Sequence, residues 1–208
     1  LLGWLNTSYP PYCWLIKTGI NGNVLWQKMI GGINNSSTVF SHFCQNLYGE
    51  IYLSGGMIVE GDVNPLIIKL NVCGEKEWCR EISTTSNNDF FRDIVTTMDG
   101  GCTAIINGAF LPSPTNNTGL MKFSSDGDLE WQKYFESTDQ NIFGEDLSNL
   151  IISPDHGYLL TGDCYYIDPE NPSYAWLHPY YIKADSLGNF EWETILHKET
   201  GDIGGQAF

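Results

Sequence analysis

Apolar and polar positions change over in short runs along this chain. No long segment places its apolar residues at helical spacing between capping residues. Strand-length segments bounded by turn residues take their place. Near the C-terminal end, Phe143 to Ile152 reads as one strand and stops at the turn signal Ser153-Pro154-Asp155-His156-Gly157. Tyr158 to Gly162 reads as a second strand, and Tyr180 to Ala184, after a long loop over 163–179, as a third. The turn Asp185-Ser186-Leu187-Gly188-Asn189 then leads into a fourth strand, Phe190 to Leu196. A glycine belongs in that turn because tight hairpins need positive φ, which glycine adopts without a steric penalty.

The last hairpin of this unit is one of four. Two apolar residues, a lysine, a glycine five positions on and a tryptophan nine positions on recur as Leu15-Ile16-Lys17…Gly22…Trp26 and Ile67-Ile68-Lys69…Gly74…Trp78. They return as Leu120-Met121-Lys122…Gly127…Trp131 and Tyr181-Ile182-Lys183…Gly188…Trp192. The lysines step by 52, 53 and 61 residues. The second-strand phrase also returns, as Gly49 to Gly55, Asp99 to Ile106 and Asp155 to Gly162. A strand-rich repeat of this length predicts an all-β fold, a β-propeller of four-stranded antiparallel blades, because one blade cannot cover both of its own faces. Residues 1–208 read as a single propeller domain, or part of one, with about four repeats. Leu1-Leu2-Gly3 matches the tail of a second strand, and Gly204 to Phe208 the approach to a first. The chain also opens with Leu1 rather than Met, so the expectation is a piece of a larger propeller of roughly six to eight blades.

The repeat assigns work to its fixed residues. The tryptophan is expected to pack between blades. The lysine is expected to be a structural pin, its stem on the blade and its head on a carbonyl or carboxylate. Lys28, Arg80 and Lys133 lie two residues beyond the tryptophan on the same strand face, and Thr194 takes that place in the fourth copy. Repeat positions thus account for seven of the ten basic residues.

Charge narrows the function. A formal net charge of −15 argues against nucleic acid as a partner, since phosphate binding needs clustered cations. No apolar run has the roughly 18 residues of a membrane-spanning helix. The cysteines at 13, 44, 73, 79, 102 and 164 form no CxxC pair and are expected to be mostly buried free thiols. The four histidines fall at unrelated repeat positions, and neither HExxH, GxSxG nor a phosphate-binding loop occurs, so no metal or other cofactor is implied. Asp126, Asp128 and Glu130 alternate after a turn and read as an acidic hairpin rather than a complete Ca²⁺ loop.

The phrases Lys17-Thr18…Asn21-Gly22-Asn23-Val24-Leu25-Trp26-Gln27-Lys28 and Asp155-His156-Gly157-Tyr158-Leu159-Leu160-Thr161-Gly162 resemble the bacterial β-propeller repeats of secreted and surface proteins, especially of Bacteroidota. The resemblance covers almost the whole chain. It implies an extracellular or cell-surface module, often part of a larger assembly, and carries no catalytic residues. The Gly-x-x-x-Trp ending is also similar to the tryptophan-docking repeat of quinoprotein dehydrogenases, without that family's Ala-x-Asp-x-x-Thr-Gly lead-in.

Two surfaces are candidates for binding. His42, Arg92, Asp93, Glu145 and Asp146 fall at similar repeat positions on the innermost strands, where propellers often place ligands. The long loop over 163–179 carries Tyr165, Tyr166, Tyr174 and Trp176, suited to stacking on sugars or anchoring a protein. The expected function is a non-enzymatic, extracellular binding or scaffold module whose partner is a protein or a surface polysaccharide. The alternative is a propeller glycosidase or lyase, which needs paired carboxylates at the axial mouth, such as Asp93 with Glu145 or Asp146.

Overall fold

The computed structural model describes residues 2–5, 12–31, 37–59, 61–82, 89–108, 117–169 and 174–196, with the side chains of 2–5, 12 and 117 left aside. The expected approach of Gly204 to Phe208 to a further strand lies outside these residues.

The strands fall into four antiparallel sheets. β1 (Leu2–Leu5), β2 (Tyr12–Thr18) and β3 (Val24–Ile30) make the first blade, β1 standing at the second-strand position. β4 (Thr38–Gln45), β5 (Ile51–Val59), β6 (Asp62–Leu70) and β7 (Lys76–Glu81) make the second. β8 (Phe90–Thr96), β9 (Cys102–Gly108), β10 (Asn117–Phe123) and β11 (Leu129–Phe135) make the third. β12 (Ile142–Ile152), β13 (Tyr158–Ile167), β14 (Ala175–Ala184) and β15 (Phe190–Ile195) make the fourth. The expected all-β stack of antiparallel propeller blades is the architecture observed. Among the described residues no helix is long and apolar enough to cross a membrane.

Neighbouring blades explain the apolar runs. A middle strand such as β5 is covered on both faces, so Ile51 to Met57 is buried without a break. An outer strand such as β3 has no fully buried residue. Three apolar clusters fill the spaces between successive blades. Leu15 and Trp26 of the first blade meet Leu53 and Ile68 of the second. Ile67 and Trp78 meet Phe91 and Met121 of the third, and Leu120 and Trp131 meet Leu160 and Ile182 of the fourth.

The nine-residue spacing has a direct structural meaning. Lysine and tryptophan are cross-strand partners: Lys17 faces Trp26, Lys69 faces Trp78, Lys122 faces Trp131 and Lys183 faces Trp192. A register shift follows each lysine at once, between Lys and the next residue, in all four hairpins. That irregularity takes up the odd residue of the glycine turn. The turn glycines have φ of 80° at Gly22, 75° at Gly74, 84° at Gly127 and 77° at Gly188, a region that a side chain disfavours.

One sequence expectation changes. Much of 163–179 is not a loop: β13 runs on to Ile167, β14 starts at Ala175, and the two continue as a paired ribbon. Tyr165 lies opposite Leu177 and Tyr166 opposite Trp176. Aromatic and aliphatic cross-strand pairs of this kind stabilise a hairpin and outweigh the prolines that suggested a loop.

Candidate functional site

The repeat phrase builds a joint between blades. Trp26, Trp78 and Trp131 each lie against the turn glycine of the next blade. A Cβ on Gly74 would come within 3.0 Å of the Trp26 ring, one on Gly127 within 2.8 Å of Trp78, and one on Gly188 within 2.5 Å of Trp131. The Trp78 indole Nε1 also donates to the Ser125 carbonyl at 2.9 Å. The cation two residues on grips the same turn. Arg80 donates from Nε to the Gly127 carbonyl at 2.8 Å and from a terminal nitrogen to the Asp126 carbonyl at 3.1 Å. Lys133 reaches Asn189 Oδ1 at 3.0 Å. A groove of about 340 Å³ opens beside the first joint, lined by Lys28, Ile30, Ile68, Gly74 and Glu75.

Three of the four recurring lysines are pins, as the repeat suggested, each held between two carboxylates. Lys69 Nζ lies 2.9 Å from Glu50 and 3.0 Å from Glu77. Lys122 lies 2.7 Å from Asp99 and 2.9 Å from Glu130, and Lys183 lies 2.9 Å from Asp155 and 3.0 Å from Glu191. All three lysines are buried. Burial works against each ammonium, but the paired carboxylates outweigh it and raise its pKa above the ordinary value. The acidic partners escaped the sequence reading although a signal was present: a glutamate precedes the tryptophan in three copies, and Leu25 stands there in the first. Glu130, one of the acidic hairpin residues, is thereby committed to Lys122.

The inner-strand candidates divide into two groups. Bulges fall at matching places, after Phe40 in β4, after Phe91 in β8 and after Leu147 in β12. Residues at the bulges stitch one inner strand to the next. His42 Nδ1 meets the Arg92 carbonyl at 2.5 Å, and Ser41 donates to the Phe91 carbonyl at 2.7 Å. Arg92 reaches Asp146 at 3.2 Å. Asp93 spends its two oxygens on backbone amides, accepting from Ile94 at 2.8 Å and from Leu150 at 2.7 Å. His42, Arg92 and Asp146 thus form one line across three blades, with Asp93 as a clamp beside them.

Glu145 lies apart from that line. Adjacent strand residues point to opposite faces, so Asp146 meets Arg92 while Glu145 turns toward the blade interior. Burial raises its carboxyl first, the Glu193 and Glu136 charges add to that, and the Ser137 amide opposes them; the pKa stands at about 7. Glu193 moves the other way. Burial works against its charge, but bonds from Thr138, Tyr180 and Ser137 outweigh it and lower the pKa.

The ribbon carries the other candidates. Tyr174 and Trp176 are exposed, with rings 6.1 Å apart and 10° from parallel. Tyr165 is exposed against Phe143, ring centroids 5.4 Å apart, and half-buried Tyr166 meets His178 edge-on at 5.6 Å. The ribbon therefore brings the four predicted aromatics together, on its two faces. The six cysteines are free thiols; Cys13, Cys102 and Cys164 are buried, Cys44 and Cys79 half-buried, and Cys73 is exposed.

No family model matches the chain, and no curated protein matches it in sequence. Among solved structures, the chain is similar to an ACO/RPE65 chimera in a monoclinic crystal form, with a TM-score of 0.48 and 12% identity over 89% of this chain and 44% of that one. A Synechocystis apocarotenoid oxygenase gives the same figures, TM-score 0.48 and 12% identity over 89% and 44%. A eukaryotic initiation factor gives a TM-score of 0.42 and 7% identity over 93% of this chain and 51% of that one. The chain spans about half the length of these structures.

Proposed function

We propose that this chain is a non-enzymatic propeller module of the secreted bacterial kind, working outside the cell or at its surface as a binding scaffold. Its ligand is a surface polysaccharide or a protein, taken by the β13–β14 ribbon. The observation that carries this reading is the aromatic surface of that ribbon, where Trp176 keeps 59% of its surface in solvent. An aromatic ring held on a paired strand offers a rigid apolar plane at little entropic cost, suited to sugar rings and to protein hot spots. Electrophoresis of the full chain through gels cast with soluble polysaccharides (xylan, laminarin, alginate) tests the polymer form. Retardation by at least one polymer, lost in Trp176→Ala and Tyr174→Ala, is expected. Unchanged mobility in every gel, or retardation indifferent to both substitutions, contradicts it.

A second reading, a propeller glycosidase or lyase, draws on Glu145 and Glu193, two carboxylates whose pKa values move apart as an acid and a base require. Release of reducing or unsaturated sugar ends from those polysaccharides, abolished by Glu145→Gln with the fold intact, is the result that would favour it.

A further inference from the structure

Phe135 and Ile142 both pack into the apolar cluster between the third and fourth blades, and the chain between them crosses from one blade to the other. That crossing, Glu136-Ser137-Thr138-Asp139-Gln140-Asn141, has no apolar residue to bury. It is folded on itself, the Asn141 amide donating to Asp139 Oδ1 at 2.9 Å and the Asp139 amide to Ser137 Oγ at 3.1 Å. Two carboxylates fasten it to the fourth blade. Glu193 Oε1 accepts from the Thr138 amide at 2.8 Å, from Thr138 Oγ1 at 2.6 Å and from Ser137 Oγ at 3.2 Å, while Tyr180 donates its hydroxyl to Oε2. The Ser137 amide bonds to Glu145.

The second fastening is unfinished. Glu145 Oε2 is buried, and no described residue bonds to it. A carboxyl oxygen without a donor, out of water, is costly when charged and tolerable when the group carries its proton. No cation offsets it. Between Lys133 and Lys183 the sequence has neither lysine nor arginine; Lys133 is turned to Asn189, and Lys183 is held by Asp155 and Glu191. The groups around Glu145 are Glu136 and Asp139 of the crossing, Asp163 and Cys164 of β13, His178 and Tyr180 of β14, and Glu193 of β15. Burial pushes the Cys164 thiol up to about 12 and raises the Tyr180 hydroxyl as well, so neither becomes charged near neutral pH.

We propose that Glu136 to Gln140 form a pH-sensitive latch between the third and fourth blades, seated while Glu145 keeps its proton and released once Glu145 gives that proton to water. Ionised, Glu145 sets a second negative charge beside Glu193 in the blade interior, and lifting the polar crossing admits water to both carboxylates. The apolar anchors Phe135 and Ile142 stay packed, so the opening is local. The bulge between Ile142 and Gly144 gives the chain a joint on which to turn. A Glu145 pKa of about 7, raised first by burial, puts the change in the neutral range. The latch depends neither on the ribbon's ligand nor on a catalytic role for Glu145.

Amide hydrogen exchange of the full chain, followed by NMR from about pH 5 to pH 8 and corrected for the intrinsic rate, tests it. The Ser137 and Thr138 amides should exchange at least about tenfold faster than a core amide such as that of Leu53, which is fully buried. Their opening should grow about tenfold per pH unit above pH 5 and level off near pH 7. Glu145→Gln should hold the opening at its low-pH level throughout. Glu193→Gln removes the neighbouring charge and should bring the levelling to lower pH, a readout that stands even if Glu145→Gln fails to fold. Amides of 137 and 138 that exchange at the pace of the core at every pH overturn the proposal. So does an opening independent of pH in the wild type, or a pH dependence that neither substitution alters.

Discussion

The indole of Trp78 lies on Gly127 of the following blade so closely that a Cβ at 127 would stand 2.8 Å from Trp78 Cδ2. The relation repeats between Trp26 and Gly74 and between Trp131 and Gly188. One residue type therefore serves two ends: glycine makes the turn and clears the space for the ring. The arrangement gives the repeat a direction, each blade gripping the next by its tryptophan and, where present, by the arginine or lysine two residues on.

Lys122 bridges Asp99 and Glu130 within its own blade. Replacing it by methionine keeps the stem and removes the charge, leaving two half-exposed carboxylates to repel each other. The expected loss is about 1–3 kcal/mol, read from urea unfolding at pH 7. The acid response should change as well. Burial opposes the charge of Asp99, but bonds from Lys122, Thr97 and the Gly101 amide outweigh it and hold its pKa at about 2. A depressed carboxyl contributes in full above its unfolded value near 4 and loses that contribution as pH falls through about 2. Wild-type stability should fall across that window, and Lys122→Met should flatten the fall.

Glu145 gives the opposite sign. Its pKa of about 7, raised first by burial, means that the folded protein holds a proton the unfolded chain has released. Stability should fall as pH rises from the unfolded value near 4.3 to about 7, and hold its lower level beyond. Glu145→Gln should gain on wild type by about 2–3 kcal/mol between pH 5 and pH 8. Urea midpoints at the two pH values check this; the same difference between the variant and wild type at both would contradict it.

His156 adopts φ of 65° at the turn position where the second and third blades place Gly49 and Gly100, both at 84°. A side chain in this region costs about 1 kcal/mol. His156→Gly should therefore raise stability by about that amount, checked by thermal or urea unfolding; a loss would show that the imidazole has a compensating contact.

Much of the fold was legible because the repeat states it several times. The lysine–tryptophan spacing is a cross-strand pair, and both residues do the structural work expected of them. The inner-strand site was less legible. Alternation sends Asp146 and Glu145 to opposite faces, and the bulge near Arg92 and Asp93 changes which face follows, so similar repeat positions do not converge on one point. Asp93 is drawn off by the Leu150 amide, a contact between blades that no local pattern announces. The ribbon over 163–167 and 175–179 read as a loop because Pro169, Pro172 and Pro179 mask a pairing that depends on cross-strand aromatic contact.

The central claim is that the turn glycines are seats for the preceding blade's tryptophan. Gly22 and Gly127 have nearly the same φ, 80° and 84°, so alanine strains both backbones alike; only Gly127 lies under an indole. Urea unfolding of Gly22→Ala and Gly127→Ala in dilute protein is the direct measurement. The expected losses are about 1 kcal/mol at Gly22 and about 2–4 kcal/mol at Gly127. Equal losses at the two positions would contradict the joint.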